Sequence, residues 1–327
     1  MKKISVWFED FWPNFNYDQN PFLSHIIQFL SEKYDVIIDP RDPDFLFYSC
    51  FGYKHHNYPH SVRIYICGEA IIPDFNVCDY AISQIKIDFE GRNLNFPYGL
   101  WTIIGDEVEK YSREKALNRK FCSFIYSNSK VGKGSILRKE FCRKLSEYKY
   151  VHCPGSVLHN CEAPELSERN AYNYTSSKRK YISDFKFNIA FENTITKGYI
   201  TEKLTDCFIS GTLPIYRGGE LPNELKNAVI YANDYTSLDS LVKRVKEVDI
   251  NDDLYISILN SNPILKDVSA AFYRNLDDFV YSIFKRGRTP REKYELYKNI
   301  GEILPVVLSV ARAIKYIKKR LLNFFHH

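Results

Sequence analysis

Along the first eighty positions, apolar residues come in short runs set apart by polar turns. Segments 4–8 (ISVWF), 45–49 (FLFYS), 61–67 (SVRIYIC) and 80–82 (YAI) are rich in β-branched and aromatic side chains, which predicts buried strands. Segment 21–34 instead sets Phe22, Ile26, Ile27 and Leu30 on one helical face. Strand and helix in alternation argue for parallel α/β layering. A polar stretch at 105–120 (GDEVEKYSREKALNRK) then reads as a linker or an exposed helix. The alternation resumes with a strand at 121–126, a helix at 135–145 (Leu137, Phe141, Leu145) and a strand at 185–191. A helix over 199–210 follows, with Gly211 as its stop, then a strand at 213–216 and amphipathic helices at 237–248 and 267–284. Two α/β halves predict two domains, 1–115 and 116–285, with a cleft between them. The remaining segment, 286–327, reads as a helical tail. Its last part, VVLSVARAIKYIKKRLLNFF, carries five basic residues and no acidic one, with an apolar stripe at Val307, Val310, Ala311, Ile314, Ile317 and Leu321. That pattern suits a helix packed on its own protein or one lying on an anionic membrane surface.

Composition narrows the class. With 327 residues, 45% hydrophobic and 26% charged, the chain is globular and long enough for two cores. A net charge of +5 with no dense basic stripe gives no reason to expect nucleic acid as a partner. Eight scattered cysteines form no CxxC and no zinc spacing, so reduced thiols in a cytosol are expected. Aromatics reach 16%, which suits a carbohydrate binder, although compositional drift explains it equally well. The opening MKKISVWFEDFW is interrupted by Glu9 and Asp10, so it reads as a strand rather than a signal peptide. No stretch approaches the roughly 20 apolar residues that span a bilayer. A cytoplasmic protein, peripheral at most, is the expectation.

One segment concentrates candidate chemistry. Residues 181–219 read YISDFKFNIAFENTITKGYITEKLTDCFISGTLPIYRGG. A strand ends at Phe191-Glu192-Asn193, and a helix is expected to open with Tyr199, Thr201, Glu202 and Lys203 in its first turn. A parallel strand feeding a helix N-terminus is where α/β folds hold phosphorylated ligands, because free N–H groups point outward there. Lys203 adds a cation, and Glu202 can accept from ribose hydroxyls. The plain alternative is a helix start where a glutamate is favourable anyway.

This segment resembles the signature of the α1,3/4-fucosyltransferases, glycosyltransferase family ten, in its FEN, YITEK and GTLPIY elements. VRIYICGEAIIPDFNVCDYAIS and FCSFIYSNSKVGKGSILRKEFCRKLSEYKYVHCPG are similar, more weakly, to two further family stretches. The resemblance implies the GT-B arrangement, two Rossmann-like domains facing a central cleft, and a soluble bacterial enzyme of that kind. It implies an N-terminal acceptor domain and a C-terminal GDP-sugar donor domain. The implied reaction is an inverting transfer of L-fucose from GDP-fucose to a glycan hydroxyl, with no metal and no cofactor beyond the donor. Glu69, in CGEA, falls where the family places its general base. Arg138, in GSILRKEF, and Lys203 fall at its pyrophosphate cations, Asn193 and Tyr199 at donor contacts, and Glu202 at the ribose acid. An N-acetylglucosamine- or glucose-type residue of lipopolysaccharide or capsule oligosaccharide would accept the sugar.

Two departures, Ala70 after the Gly-Glu pair and RGGELPNEL after Tyr216, leave donor and acceptor more open than the reaction class. Another GDP-linked deoxyhexose or heptose is the first alternative, and a catalytically silent nucleotide- or carbohydrate-binding protein the second. Presence of all six residue types favours an enzyme. Asp42-Pro43-Asp44 has the DxD form of metal-dependent transferases but reads as a turn before a strand. GKGS at 132–135 reads as a flexible loop near the nucleotide, and the adjacent His55 and His56 are expected to project apart.

Overall fold

The computed structural model describes residues 1–97, 99, 111–127, 132–168, 173–221, 223–261 and 265–290. The basic stripe at 306–325 and the 105–110 part of the polar stretch lie outside them. Contacts divide the chain into two units. The first comprises Met1–Ser83, Ile87–Leu94 and the chain from Asn275 onward; the second comprises Gln84–Lys86 and Asn95–Arg274.

In the first unit, β1 (Lys2–Glu9) leads through α1 (Pro21–Ser31) to β2 (Tyr34–Ile38), β3 (Phe45–Tyr48), β4 (Val62–Cys67), β5 (Tyr80–Ser83) and β6 (Asn93–Asn95). The sheet order is β2-β1-β3-β4-β5-β6, with β1 parallel to both β2 and β3. The Asn20 side chain caps α1 by accepting the Leu23 N–H, and Pro21 takes the first turn, where its missing N–H costs nothing. Phe22, Leu23, Ile26 and Leu30 bury the helix face. The helix stops at Ser31, short of the predicted Tyr34, because YDVII pairs with β1 as a half-exposed edge strand.

The second unit runs α2 (Arg113–Leu117), β7 (Lys120–Ser123), α3 (Gly132–Ser146), β8 (Val151–His152), α4 (Tyr174–Ile182), β9 (Phe185–Phe191), α5 (Glu202–Ile209) and β10 (Leu213–Arg217). α6 (Asn223–Lys226), β11 (Ile230–Tyr231), α7 (Leu238–Ile250) and α8 (Asp252–Asn260) complete it, and α9 (Leu265–Arg286) begins in it. The sheet order is β11-β10-β9-β7-β8, parallel throughout. All seven residues of β9 are buried, as a central parallel strand covered on both faces requires. α9 serves both units. Phe272 and Tyr273 meet Phe96 edge-on in the second, whereas Phe284 stacks on Phe45 at 3.9 Å and Asp277 meets His25 at 2.8 Å in the first. The described residues of α9 from Asn275 on belong by contact to the first unit.

The two sheets share one topology. In each, the first strand lies between the second and the third, so the strand order reverses at β1/β3 and at β7/β9. Crevices beyond the C-terminal strand ends at such reversals are where α/β folds hold ligands. Among the described residues no helix is long and apolar enough to cross a membrane.

At the other end of the second sheet, Asp249 on α7 accepts from Lys186 of β9 at 2.9 Å, Lys149 at 3.0 Å and Tyr148 at 3.0 Å. Its side chain is 2% exposed and that of Lys186 7%. Removing one partner of a buried pair leaves the other charge uncompensated, at about 3–5 kcal/mol. Asp249→Ala is therefore expected to lower stability by about that amount in denaturant melts, and a loss under ~1 kcal/mol would show that the pair is hydrated.

Candidate functional site

The β7/β9 reversal is built from three chain segments. After β7 the chain reaches Tyr126, whose hydroxyl accepts the Phe191 N–H at 2.8 Å and donates towards the carbonyls of Ile189 and Phe191, each at 3.0 Å. The guanidinium of Arg138, on α3, lies 4.0 Å over the Tyr126 ring and donates to Asn193 Oδ1 at 2.9 Å. α3 can come this close because of Gly134, where a Cβ would fall 2.5 Å from the carbonyl oxygens of both Glu192 and Asn193. GKGS is therefore the first turn of a helix set against a strand end, not a flexible loop.

Beyond β9, Glu192 is fully buried and accepts from the Thr201 N–H at 2.8 Å and from its hydroxyl. Thr201 is itself the cap of α5, its side chain accepting from Lys203 N. The helix opens at Glu202, so Tyr199 and Thr201 precede it rather than fill its first turn. Tyr199 is buried and closes a turn, its N–H on the Thr196 carbonyl at 3.1 Å. Lys203 Nζ lies 3.0 Å from Thr201 Oγ1, 3.3 Å from Glu192 and 3.4 Å from Glu202.

Electrostatics follow from burial against pairing. Burial raises the Glu192 carboxyl, and Lys203 offsets this only in part. Burial also opposes the Lys203 charge, but the two glutamates beside it win and its affinity for a proton rises. Glu202 is held at about 2, because Lys203 and Lys178 outweigh its own desolvation. Lys178 and Arg179 of α4 reach Asp206 of α5 at 2.8 and 2.7 Å, locking the two helices together. Burial pushes the Tyr126 phenol up to about 12 even though Arg138 and Lys203 both pull it down.

Five of the six sequence-predicted residues thus fall in the second unit. Arg138 touches Asn193, and Lys203 touches Glu202. Glu69 stands in the first unit, exposed in the bend after β4, with its N–H 3.4 Å from Cys67 Sγ. Glu192, Tyr126 and Lys178 were not singled out by sequence. A lone acid at the end of an otherwise apolar strand was the available signal for Glu192. Asp44 of the DxD triplet accepts the Ser5 N–H at 3.0 Å and meets Arg288 at 3.2 Å. His55 and His56 do not project apart: a short 3-10 turn brings their rings to 4.2 Å.

Residues 6–103 match the alpha-(1,3)-fucosyltransferase FucT N-terminal domain, and residues 116–266 match the glycosyltransferase family 10 (fucosyltransferase) C-terminal domain. The chain belongs to glycosyltransferase family 10. It is 27% identical over 308 residues to the alpha-(1,3)-fucosyltransferase FucT of Helicobacter pylori, a match covering 78% of this chain and 60% of that protein. It is 36% identical over 215 residues to the human 4-galactosyl-N-acetylglucosaminide 3-alpha-L-fucosyltransferase 9, covering 64% and 53%. The chain thus spans about half the length of the curated relatives it matches. A crystal structure of an alpha1,3-fucosyltransferase aligns over 85% of this chain and 90% of its own, with a TM-score of 0.63 at 22% identity. The same holds with GDP-fucose bound, at a TM-score of 0.61. That likeness is one of fold: two Rossmann-like α/β units of the GT-B class.

The depressed Glu202 carboxyl carries a pH signature. Its ordinary value of 4.5 falls to about 2 in the folded chain, so its stabilising charge is complete above about pH 4.5 and is lost as pH falls towards 2. The melting-temperature gap between wild type and Glu202→Gln should be widest above pH 5 and close towards pH 3. A gap independent of pH would show that the carboxylate is not held by its lysines.

Proposed function

We propose that this family 10 chain transfers L-fucose from GDP-fucose to a glycan hydroxyl with inversion, and that it needs no metal. The reading rests chiefly on one observation: two cations from different helices reach the end of β9 at the β7/β9 reversal, Arg138 on Asn193 at 2.9 Å and Lys203 on Glu192 at 3.3 Å. Family membership supports it, as does a structural relative solved with GDP-fucose.

In this scheme the diphosphate sits at the α5 N-terminus, where backbone N–H groups and Lys203 face it. Lys203 is 16% exposed and makes the direct contact. Arg138 is 1% exposed, so it acts through its charge and through Asn193, which it orients. Glu202, ionised across the working range, accepts from the ribose hydroxyls, and Tyr199 shapes the donor pocket. As the glycosidic bond breaks, negative charge grows on the departing diphosphate, and the cations stabilise that charge where a divalent metal would otherwise serve. The acceptor hydroxyl attacks the anomeric carbon from the opposite face. Glu69, from the unit that binds the acceptor, takes its proton. An N-acetylglucosamine- or glucose-type residue of a surface oligosaccharide fits as acceptor, with the basic 306–325 stretch favouring an anionic membrane surface. GDP-fucose is the first donor to screen, ahead of other GDP-linked deoxyhexoses and heptoses.

A charge-assisted hydrogen bond from Lys203 contributes about 1.5–3 kcal/mol, and Arg138 adds its charge and the orientation of Asn193. Lys203→Ala and Arg138→Ala should each weaken GDP binding by more than ~10-fold in calorimetry; unchanged affinity in both removes the diphosphate assignment.

Glu69→Gln preserves shape and removes the base. Turnover should fall ~10²–10⁴-fold, with GDP affinity and melting temperature unmoved. Near-normal turnover at saturating acceptor would leave Glu69 without a catalytic role.

A further inference from the structure

The β1/β3 reversal of the first unit carries a different chemistry from its counterpart. Beyond β1 the chain reads DFWPNF, and beyond β3 it reads SCFGYKHH. Their rings meet. Phe11 stacks on Phe15 at 4.1 Å, Trp12 meets Phe15 edge-on at 5.0 Å, and Trp12 meets Phe51 edge-on at 6.4 Å. Trp12 is nevertheless 45% exposed and Phe51 52%. A folding core would have buried them.

The loops beneath the rings are held rigidly. Asp10 adopts φ +59°, a left-handed conformation that strains a non-glycine residue. Its carboxylate accepts from Lys54 N at 3.0 Å, His55 N at 2.8 Å and His55 Nδ1 at 2.6 Å. Its carbonyl takes the Phe51 N–H at 2.9 Å. One strained acid therefore fastens the post-β1 loop to the post-β3 loop and fixes Trp12 relative to Phe51. Gly52 permits this, since any Cβ there would run into the Asp10 carboxylate. Tyr48 stacks on His55 at 4.2 Å from below. Cys50 sits against Cys67, which in turn receives the Glu69 N–H, so the platform loop adjoins the bend that carries Glu69.

Size and charge select the occupant. Two half-exposed aromatic rings offer roughly 200 Å², far below the ~800 Å² per partner of a stable protein interface. Lys54, the cation of the post-β3 loop, is already paired with Glu9, which leaves an anionic membrane little to hold. Glu9 is 15% exposed, bonded by Trp7 Nε1 at 2.9 Å and ion-paired with Lys54 at 3.7 Å. Rigid, half-exposed aromatic faces suit a neutral polyol, because the ring takes the C–H face of a pyranose.

We propose that Trp12 and Phe51 form a stacking platform for one pyranose ring of the acceptor glycan, set by the Asp10 clamp. This rests on the transfer reading for its role, though not for its binding. In it Trp12 and Phe51 are substrate-contacting residues, and Asp10 is a positioning residue.

The test uses the full chain with N-acetyllactosamine as probe glycan. Trp12→Ala and Phe51→Ala should each raise the acceptor KM at least 10-fold while GDP affinity stays within twofold. Trp12→Phe and Phe51→Tyr, which keep a ring, should stay within about threefold of wild type. Saturation-transfer NMR on the wild type should show the pyranose C–H protons closest to aromatic side chains, with the effect reduced in Trp12→Ala. That measurement needs no turnover, so it separates the two readings: glycan contact without fucosyl transfer upholds the platform and sinks the reaction. Unchanged acceptor KM and unchanged saturation transfer in both alanine variants overturn the platform. So does a loss of phosphatidylglycerol-vesicle binding in those variants with glycan binding intact, since a membrane would then occupy the rings.

Discussion

Everything at the β7/β9 reversal depends on one buried carboxylate. Glu192 has no exposure to water, and an isolated charge there would be prohibitively costly. It is tolerable because Thr201 supplies two hydrogen bonds and Lys203 supplies a counter-charge at 3.3 Å. The same bonds fix where α5 begins, since Thr201 is its cap. They also fix where Lys203 stands. Glu192 further belongs to the strand end against which Gly134 lets α3 close, and that closure brings Arg138 to Asn193. A single acid therefore coordinates a strand, a helix start and two cations.

The two units solve a shared geometric problem with different side chains. Both have the reversal after their first strand, and both gather their unusual residues there. In the second unit those residues are charged, partly or wholly buried and paired, which suits a ligand whose own charge is large. In the first they are aromatic and exposed above a carboxylate–imidazole clamp, which suits a ligand with none. Desolvated charges discriminate strongly but demand compensation, whereas aromatic faces ask only for shape. That contrast supports assigning the units to donor and acceptor on chemistry as well as on family likeness.

How much of this was legible in the chain depends on how far apart the partners lie. Strands rich in apolar residues, such as FLFY and FKFNIAF, stood out because both of their faces are buried. YDVII did not: half exposed at a sheet edge, it blurred into the helical spacing that precedes it. The two-residue strands Val151–His152 and Ile230–Tyr231 are too short to leave a pattern. In the site, the contiguous TEK and FEN residues could be named, because their types and spacing are local. Tyr126 and Phe191 are 65 positions apart, and Lys178 sits in the polar run SSKRK, which reads as a solvated helix face. Nothing local indicates that Lys178 is buried beside Asp206. At Tyr199 the helix start was set by a cap bonded to a distant acid, and only the fold supplies that acid.

The charge balance of the cluster has a consequence for turnover. Among the described residues Glu192, Glu202 and Asp206 are paired with Lys178, Arg179 and Lys203, while Arg138 stands close by on Asn193. A lone lysine and arginine at a helix start would hold a diphosphate more tightly, and they would hold the GDP product just as well. Catalysis gains only from what binds the transition state better than the ground state. Sharing Lys203 with two glutamates weakens its grip on the resting diphosphate, while the charge that grows during bond breaking still finds a cation already in position. A site built this way exchanges affinity for release, which the proposed transfer, discarding GDP after each cycle, would require.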